Sequence, residues 1–324
     1  MKKLVLLTCL LLLSVSNSFA TFSIVAIDPD TGEMGVAVAS RYFSVGSVVP
    51  WAEAGVGAVA TQARVNVGYG PRALVLLKEG LTAREVLERL FDEDTFPGKD
   101  GRQIAIVDRQ GNVEVFTGAG ASIWRGHRKG ANYSAQGNIL AGPEVVDAIA
   151  EAFEKTKGEL TERLWAALKA GDEAGGDRRG RQSASILVVG KGIGRNTNND
   201  RYAYVNVDDH PDPFGELRRL LDIQLGINHS SRLRRSLQNG DLDGAMLSVT
   251  RLIRYRPLSA AAFMERGFLL YLQGREESAI YSFGRARGLA SDDFKELWER
   301  LVSIPQYQVV GEDDDFVEKI LAGN

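Results

Sequence analysis

Residues 21–40 read TFSIVAIDPDTGEMGVAVAS. Two runs of β-branched and small apolar residues, Phe22 to Ile27 and Met34 to Ala39, flank the turn cluster Asp28-Pro29-Asp30-Thr31-Gly32-Glu33. Proline, aspartate and glycine between two such runs predict a β-hairpin. The residues before it have a different character. Lys2 and Lys3 precede the apolar run Leu4 to Val15, and Ser18-Phe19-Ala20 puts small residues three places and one place before Thr21. This is the pattern of a secretory signal peptide with cleavage after Ala20. The apolar run is too short to span a bilayer, and no later segment offers eighteen apolar residues in a row. The expected mature chain therefore begins at Thr21, on the first residue of a strand. It is periplasmic or secreted and has no membrane insertion.

The chain has 324 residues, which suggests two domains after the signal. The 39 Lys+Arg against 42 Asp+Glu give a net charge of −3, and loss of Lys2 and Lys3 takes it to −5. That balance argues against a nucleic-acid partner. The single cysteine, Cys9, falls within the signal, so neither a disulfide framework nor a thiolate metal cluster is available. With three histidines as well, no metal and no cofactor are expected.

Residues 21–212 mix strands and helices. Val56 to Ala60 reads as a buried strand, Pro71 to Phe91 as one helical run, and Gln103 to Asp108 with Asn112 to Thr117 as a second hairpin. Helices follow at Val145 to Lys157 and Leu160 to Ala170, then strands at Ser185 to Val189 and Tyr202 to Val207. Hairpins with paired helices between them define an α+β class. From Asp212-Pro213 onward, residues 213–324 are wholly helical. Gly240 and Gly274, Ala245 and Ala279, Val249 and Phe283, and Leu252 and Ala286 are all spaced by the same interval. That period of about 34 residues resembles the tetratricopeptide repeat, with Pro257 ending the first unit; Ser291 stands at that place in the second, and Arg266 replaces the expected leucine. An unrelated helical bundle is the plainer alternative. Repeat arrays recognise peptides, so a protein partner is expected through this region.

Thr21 is the strongest candidate to carry chemistry. A threonine at a free N-terminus has its own α-amine beside its hydroxyl. That amine titrates near about 7.7–8.0, so part of it can act as base at neutral pH. The plainer reading is that Thr21 merely opens a strand. Residues 21–62 (TFSIVAIDPDTGEMGVAVASRYFSVGSVVPWAEAGVGAVATQ), 69–77 (YGPRALVLL), 136–143 (QGNILAGP), 175–184 (GGDRRGRQSA) and 208–213 (DDHPDP) resemble the domain-of-unknown-function 1028 family. That family is grouped with the N-terminal-nucleophile (Ntn) hydrolases. The resemblance implies a four-layer αββα sandwich and, by analogy, hydrolysis of an amide bond in a small amide or peptide-like substrate. It implies no particular substrate.

Further candidates surround this nucleophile. Thr61 and Gln62 end a small-residue strand, where a backbone N–H would suit an oxyanion; a polar strand end explains them as well. Asp177 and Ser183 flank a glycine-rich loop and are candidates for orienting the amine. Arg179 and Arg181 could clamp a substrate carboxylate, against a solvated basic loop as the alternative. Gln136 and Asn138 sit in a turn-like Gln-Gly-Asn and could bind substrate amides. Ser40 and Arg41 end the second strand and share an edge with Thr21 if the hairpin pairs in register. Gly190 to Gly194 lacks the following helix of a dinucleotide motif and reads as a turn. Asp208, Asp209, His210 and Asp212 read as a polar junction rather than a cation site, and His127 as part of an exposed basic turn. Two functions stay open: an exported amidohydrolase using Thr21, or an inactive Ntn-like scaffold that binds a peptide through its helices. Self-association as a homodimer is also left open.

Overall fold

In the computed structural model, which describes residues 21–121, 124–195 and 198–322, the opening hairpin pairs as its turn chemistry requires. Strands β1 (Thr21–Ile27) and β2 (Met34–Ser40) run antiparallel, with Ile27 opposite Met34 and Thr21 opposite Ser40. Asp28 Oδ1 accepts the Asp30 amide at 3.0 Å, and Gly32 takes a φ of 71° to reverse the chain. The expected signal segment lies outside the described residues.

Both strands are buried on both faces, which places them in a sheet interior. That sheet also holds β7 (Arg125–Lys129), β8 (Tyr133–Asn138), β9 (Ser183–Val189) and β10 (Arg201–Val207), in the order β10-β9-β2-β1-β8-β7. A second sheet of β3 (Pro50–Glu53), β4 (Gly57–Ala63), β5 (Arg102–Asp108) and β6 (Val113–Thr117) has the order β3-β4-β5-β6. All of the described pairings between these strands are antiparallel. The period of two divides β1: Val25 and Ile27 meet Ala58, Ala60, Ala105 and Val107 of the other sheet, whereas Phe22, Ile24 and Ala26 meet helices. Those helices are α3 (Pro143–Lys155) and α4 (Leu160–Glu173), packed through Val145, Ile149, Phe153, Leu164 and Leu168. Helices α1 (Tyr69–Lys78) and α2 (Ala83–Glu93) cover Val59, Ile104 and Ile106 on the outer side of the second sheet.

Three expectations need correction. The single helix over residues 71–91 is two helices. Gly80 at φ 97° ends the first, and Thr82 starts the second with a capping box to Glu85. The apolar period survives the break because both helices lie on one sheet. Gln136-Gly137-Asn138 is not a turn but the end of central strand β8, paired with β1. Arg125 to Lys129 is edge strand β7, whose exposed and half-buried residues alternate.

Asp212 caps α5 (Pro213–Gln238) by accepting the Gly215 amide at 3.1 Å, with Pro213 in the first turn. Helix α5 belongs to two cores. Phe214, Leu217, Leu221 and Leu225 pack with the six-stranded sheet, whereas Leu233 and Leu237 pack with α6 (Leu242–Tyr255), α7 (Ala260–Leu272), α8 (Glu276–Leu289), α9 (Phe294–Val302), α10 (Gln308–Gly311) and α11 (Asp314–Ala322). Gly240 and Gly274 both take a φ near 70° and each closes the preceding helix. Ala245 and Ala279 are wholly buried, and a side chain on Gly267 would come within 2.7 Å of the Phe283 ring.

A buried ionic cluster joins α5 and α6 to the sheets. Glu159, just before α4, accepts from Arg251 at 2.7 Å, Arg232 at 3.1 Å and the Tyr202 hydroxyl at 3.1 Å, and faces His229 Nε2 at 3.3 Å. Burial works against its charge, but the His229 hydrogen bond and the charges of His229, Arg251 and Arg232 overcome it and hold the carboxyl at about 2. Glu33 is also buried, with an ion pair to Arg232 at 3.8 Å and the charges of Glu159, Asp28 and Arg251 further off. Burial pushes its carboxyl up to about 7. A folded pKa above the unfolded one contributes stability that is complete below about 4.5 and is lost as pH rises through about 7. Glu33→Gln should therefore gain on the order of 2 kcal/mol relative to wild type between pH 5 and pH 8, read from urea unfolding at both pH values.

Candidate active site

Thr21 opens β1 between β2 and β8, opposite Ser40 on one side and Asn138 on the other. Strand alternation turns its side chain towards the second sheet, and its Oγ1 lies 3.1 Å from Ser40 Oγ. Beneath it lies a network of neutral amides. Ser23, two residues on and on the same face, donates its hydroxyl to Gln62 Oε1 at 2.6 Å. Gln62 Nε2 donates to the Thr21 carbonyl at 3.2 Å and to Gln103 Oε1 at 2.8 Å. Asn138 Nδ2 donates to Gln103 Oε1 at 3.0 Å, and Gln103 Nε2 to the Gly137 carbonyl at 2.9 Å. Gln136 Nε2 donates to the Ala60 carbonyl at 3.1 Å. These side chains are buried and stitch the two sheets together, so they brace the site from inside and leave the substrate side to other residues.

The other expected residues divide by role. Asp177 accepts the Arg41 amide at 2.7 Å and the Arg179 amide at 2.8 Å, and ion-pairs with the Arg179 guanidinium at 2.9 Å. It therefore ties the end of β2 to the glycine-rich loop. The Arg41 guanidinium donates to the Arg179 carbonyl. Arg181 makes a bidentate pair with Asp172, at 2.6 and 2.9 Å. Arg179 and Arg181 are thus each paired with a carboxylate of the fold, and Arg181 borders a cavity as well. Ser183 donates to the Tyr42 carbonyl and accepts the Val45 amide at 3.2 Å, which fixes the segment after β2. The Thr61 amide donates to the Val49 carbonyl at 3.2 Å, so the N–H expected for an oxyanion is already used.

Thr21 borders a pocket of about 250 Å³, open mouth included, together with Tyr42, Val45, Val48, Val49, Gln62, Ala63 and Val65. Ala63 takes a φ of 65°, a left-handed conformation that costs an alanine about 1–2 kcal/mol. A second, more polar cavity of about 560 Å³ is bordered by Phe22, Ser40, Asp172, Asp177, Arg181, Ser183 and Phe214. Sequence reading passed over Ser23 and Gln103. The signal for Ser23 was its place two residues after Thr21; that for Gln103 was an amide opening the apolar strand Ile104-Ala105-Ile106-Val107. Among the described residues no group of three or more His, Cys, Asp or Glu side chains could hold a metal. None of their helices is long and apolar enough to cross a membrane.

An α+β protein with a buried threonine heading its central hairpin, followed by helices, is the class that the fold and site define. Its chain is similar to the crystal structure of protein SPO2555 from Silicibacter pomeroyi, itself matched to the DUF1028 model, at 32% identity and a TM-score of 0.57, over 63% of this chain and 85% of that one. A comparison with curated proteins finds no match. The model for the family of unknown function DUF1028 matches residues 21–217, and the chain belongs to that family.

Gln103 is the hub of the amide network. Gln103→Leu would leave Gln62 Nε2, Asn138 Nδ2 and the Gly137 carbonyl short of a partner. At about 1–3 kcal/mol for each buried group left unpaired, the variant should lose at least ~3 kcal/mol in chemical denaturation.

Proposed function

We propose that the mature protein is an exported, periplasmic or secreted Ntn amidohydrolase whose nucleophile is Thr21. In this reading the sheets and helices of residues 21–212 are an Ntn αββα sandwich, and residues 213–324 are a tetratricopeptide-like region that serves peptide binding. The observation that carries the proposal is the position of the Thr21 hydroxyl. It stands at the head of a central strand, on the wall of a pocket, with the Ser40 hydroxyl 3.1 Å away.

Once Ala20 is removed, the Thr21 α-amine takes the Oγ1 proton, directly or through Ser40 or a water. The alkoxide attacks the substrate carbonyl carbon. The amide C–N bond then breaks, and the leaving amine departs with the proton held by the α-amine. Water, with the same amine as base, adds to the resulting ester and releases the acid. The oxyanion donor we assign is the amide of Ala63. It follows Thr61 by two residues, and strand alternation points it to the same edge of β4, beside the pocket. Ala63→Gly should relieve the left-handed strain and raise stability by up to about 1 kcal/mol in thermal unfolding, while slowing turnover by loosening the donor.

The test begins with the intact mass of the exported protein and a screen of amide substrates. A mature chain starting at Thr21, with a rate that falls about a thousandfold or more in Thr21→Ala, is the expected result. Activity should also fall as pH drops through the ordinary α-amine range near about 7.7–8.0, because the protonated amine cannot accept the hydroxyl proton. A mature N-terminus elsewhere, or a fully active Thr21→Ala, would reject the nucleophile.

A further inference from the structure

The pocket beside Thr21 has walls whose chemistry the nucleophile itself does not require. Val45, Val48, Val49 and Val65, with Tyr42, form most of its lining, and among the described residues no charged side chain borders it. Besides Thr21 and the Tyr42 ring with its hydroxyl, the lining holds Gln62, which spends its side chain on Ser23, Gln103 and the Thr21 carbonyl. The wall is also pre-formed. Val48 and Val49 amides donate to the Val45 carbonyl at 3.2 and 3.1 Å, the Val49 carbonyl accepts from Thr61 at 3.2 Å, and the Val45 amide is held by Ser183 at 3.2 Å. Valines have restricted χ1 rotamers, so this wall keeps its shape on contact with a ligand.

Resting on the proposal that Thr21 is the nucleophile, we infer that the substrate carries a short, branched aliphatic group on the acyl side of the bond cut. The acyl carbon becomes bonded to Thr21 Oγ1, so its substituent must occupy space contiguous with Thr21. The valine pocket is bordered by Thr21, whereas the polar cavity is bordered by Ser40 and not by Thr21. A carboxylate or ammonium group placed against the valines would lose its hydration with no partner to replace it. A short branched aliphatic group can lie against the valines and gain from its burial. The substrate class is therefore an amide of a valine-like or leucine-like acid.

Three β-lactones bearing isopropyl, hydrogen or carboxymethyl next to the carbonyl test this on the mature full-length protein. Thr21 Oγ1 bonds to the lactone carbonyl carbon and the ring acyl–oxygen bond breaks. The freed alkoxide takes up the hydroxyl proton, so the adduct gains the whole mass of the lactone. Intact mass gives each rate, and peptide mapping locates the adduct. The isopropyl lactone should label Thr21 about tenfold or more faster than the unsubstituted one, and about a hundredfold or more faster than the carboxymethyl one. Val48→Arg, at a half-buried wall position, should cut the isopropyl-to-carboxymethyl ratio by at least about tenfold. Labelling of Thr21 at equal rates by all three, or a ratio unmoved by Val48→Arg, would overturn the pocket assignment while leaving the nucleophile standing. No labelling of Thr21 by any lactone would overturn both.

Discussion

The site depends on β1 being clamped from both sides at its first residue. A terminal residue normally frays, because few contacts hold it. Here Thr21 lies opposite Ser40 of β2 and Asn138 of β8, and its carbonyl accepts from Gln62 across the cleft between the sheets. The backbone around the hydroxyl is therefore fixed by two ladders and a cross-sheet hydrogen bond. Any nucleophile built here is oriented by sheet pairing and needs no loop closure to position it.

The electrostatics are consistent with an uncharged base. Among the described residues, the side chains that hydrogen-bond Thr21 belong to Ser40, Gln62 and Asn138, all neutral. The carboxylates bordering the cavity that reaches Ser40 are committed elsewhere, Asp177 to Arg41 and Arg179, and Asp172 to Arg181 and Lys169. A carboxylate against an amine would hold it protonated, whereas burial among amides disfavours its charge. The same network explains why Gln62, Gln103, Gln136 and Asn138 are amides: neutral groups can satisfy one another in the interior without the desolvation penalty of ions.

The α+β class and the position of Thr21 at the head of a hairpin were legible because local rules govern them. Turn chemistry at residues 28–33 and the period of two decide that hairpin before any distant contact forms. The roles of Gln136 and Asn138 were not legible, because Gln-Gly-Asn has turn propensity and only pairing with β1 makes it a central strand. Basic residues hid edge strand β7 in the same way. The pairing of Arg179 with Asp177 and of Arg181 with Asp172 was not legible either, since a sequence does not reveal which carboxylates fold against a loop. The valine wall was invisible for another reason. Val45, Val48, Val49 and Val65 lie on irregular segments and at strand margins, where no periodicity marks a common face.

The helices cannot be treated as an appendage. Helix α5 supplies Phe214, Leu217, Leu221 and Leu225 to the core beneath the six-stranded sheet before supplying Leu233 and Leu237 to the helical core. Its opening residue, Pro213, and Phe214 also border the polar cavity that reaches Ser40, the partner of Thr21. Phe214 stacks on Phe22, the residue after Thr21, with ring centroids 6.4 Å apart. Displacement of the first turn of α5 would therefore act on both neighbours of the hydroxyl, one through the Phe22 ring and one through Ser40. The Glu159 cluster resists such displacement, because separating Arg232 and Arg251 from Glu159 would leave buried charge without a partner. Helix α6 spans the same seam, giving Tyr255 to the first core and Ala245, Val249 and Leu252 to the second, so a ligand on the helices has α5 and α6 together as a route to the threonine.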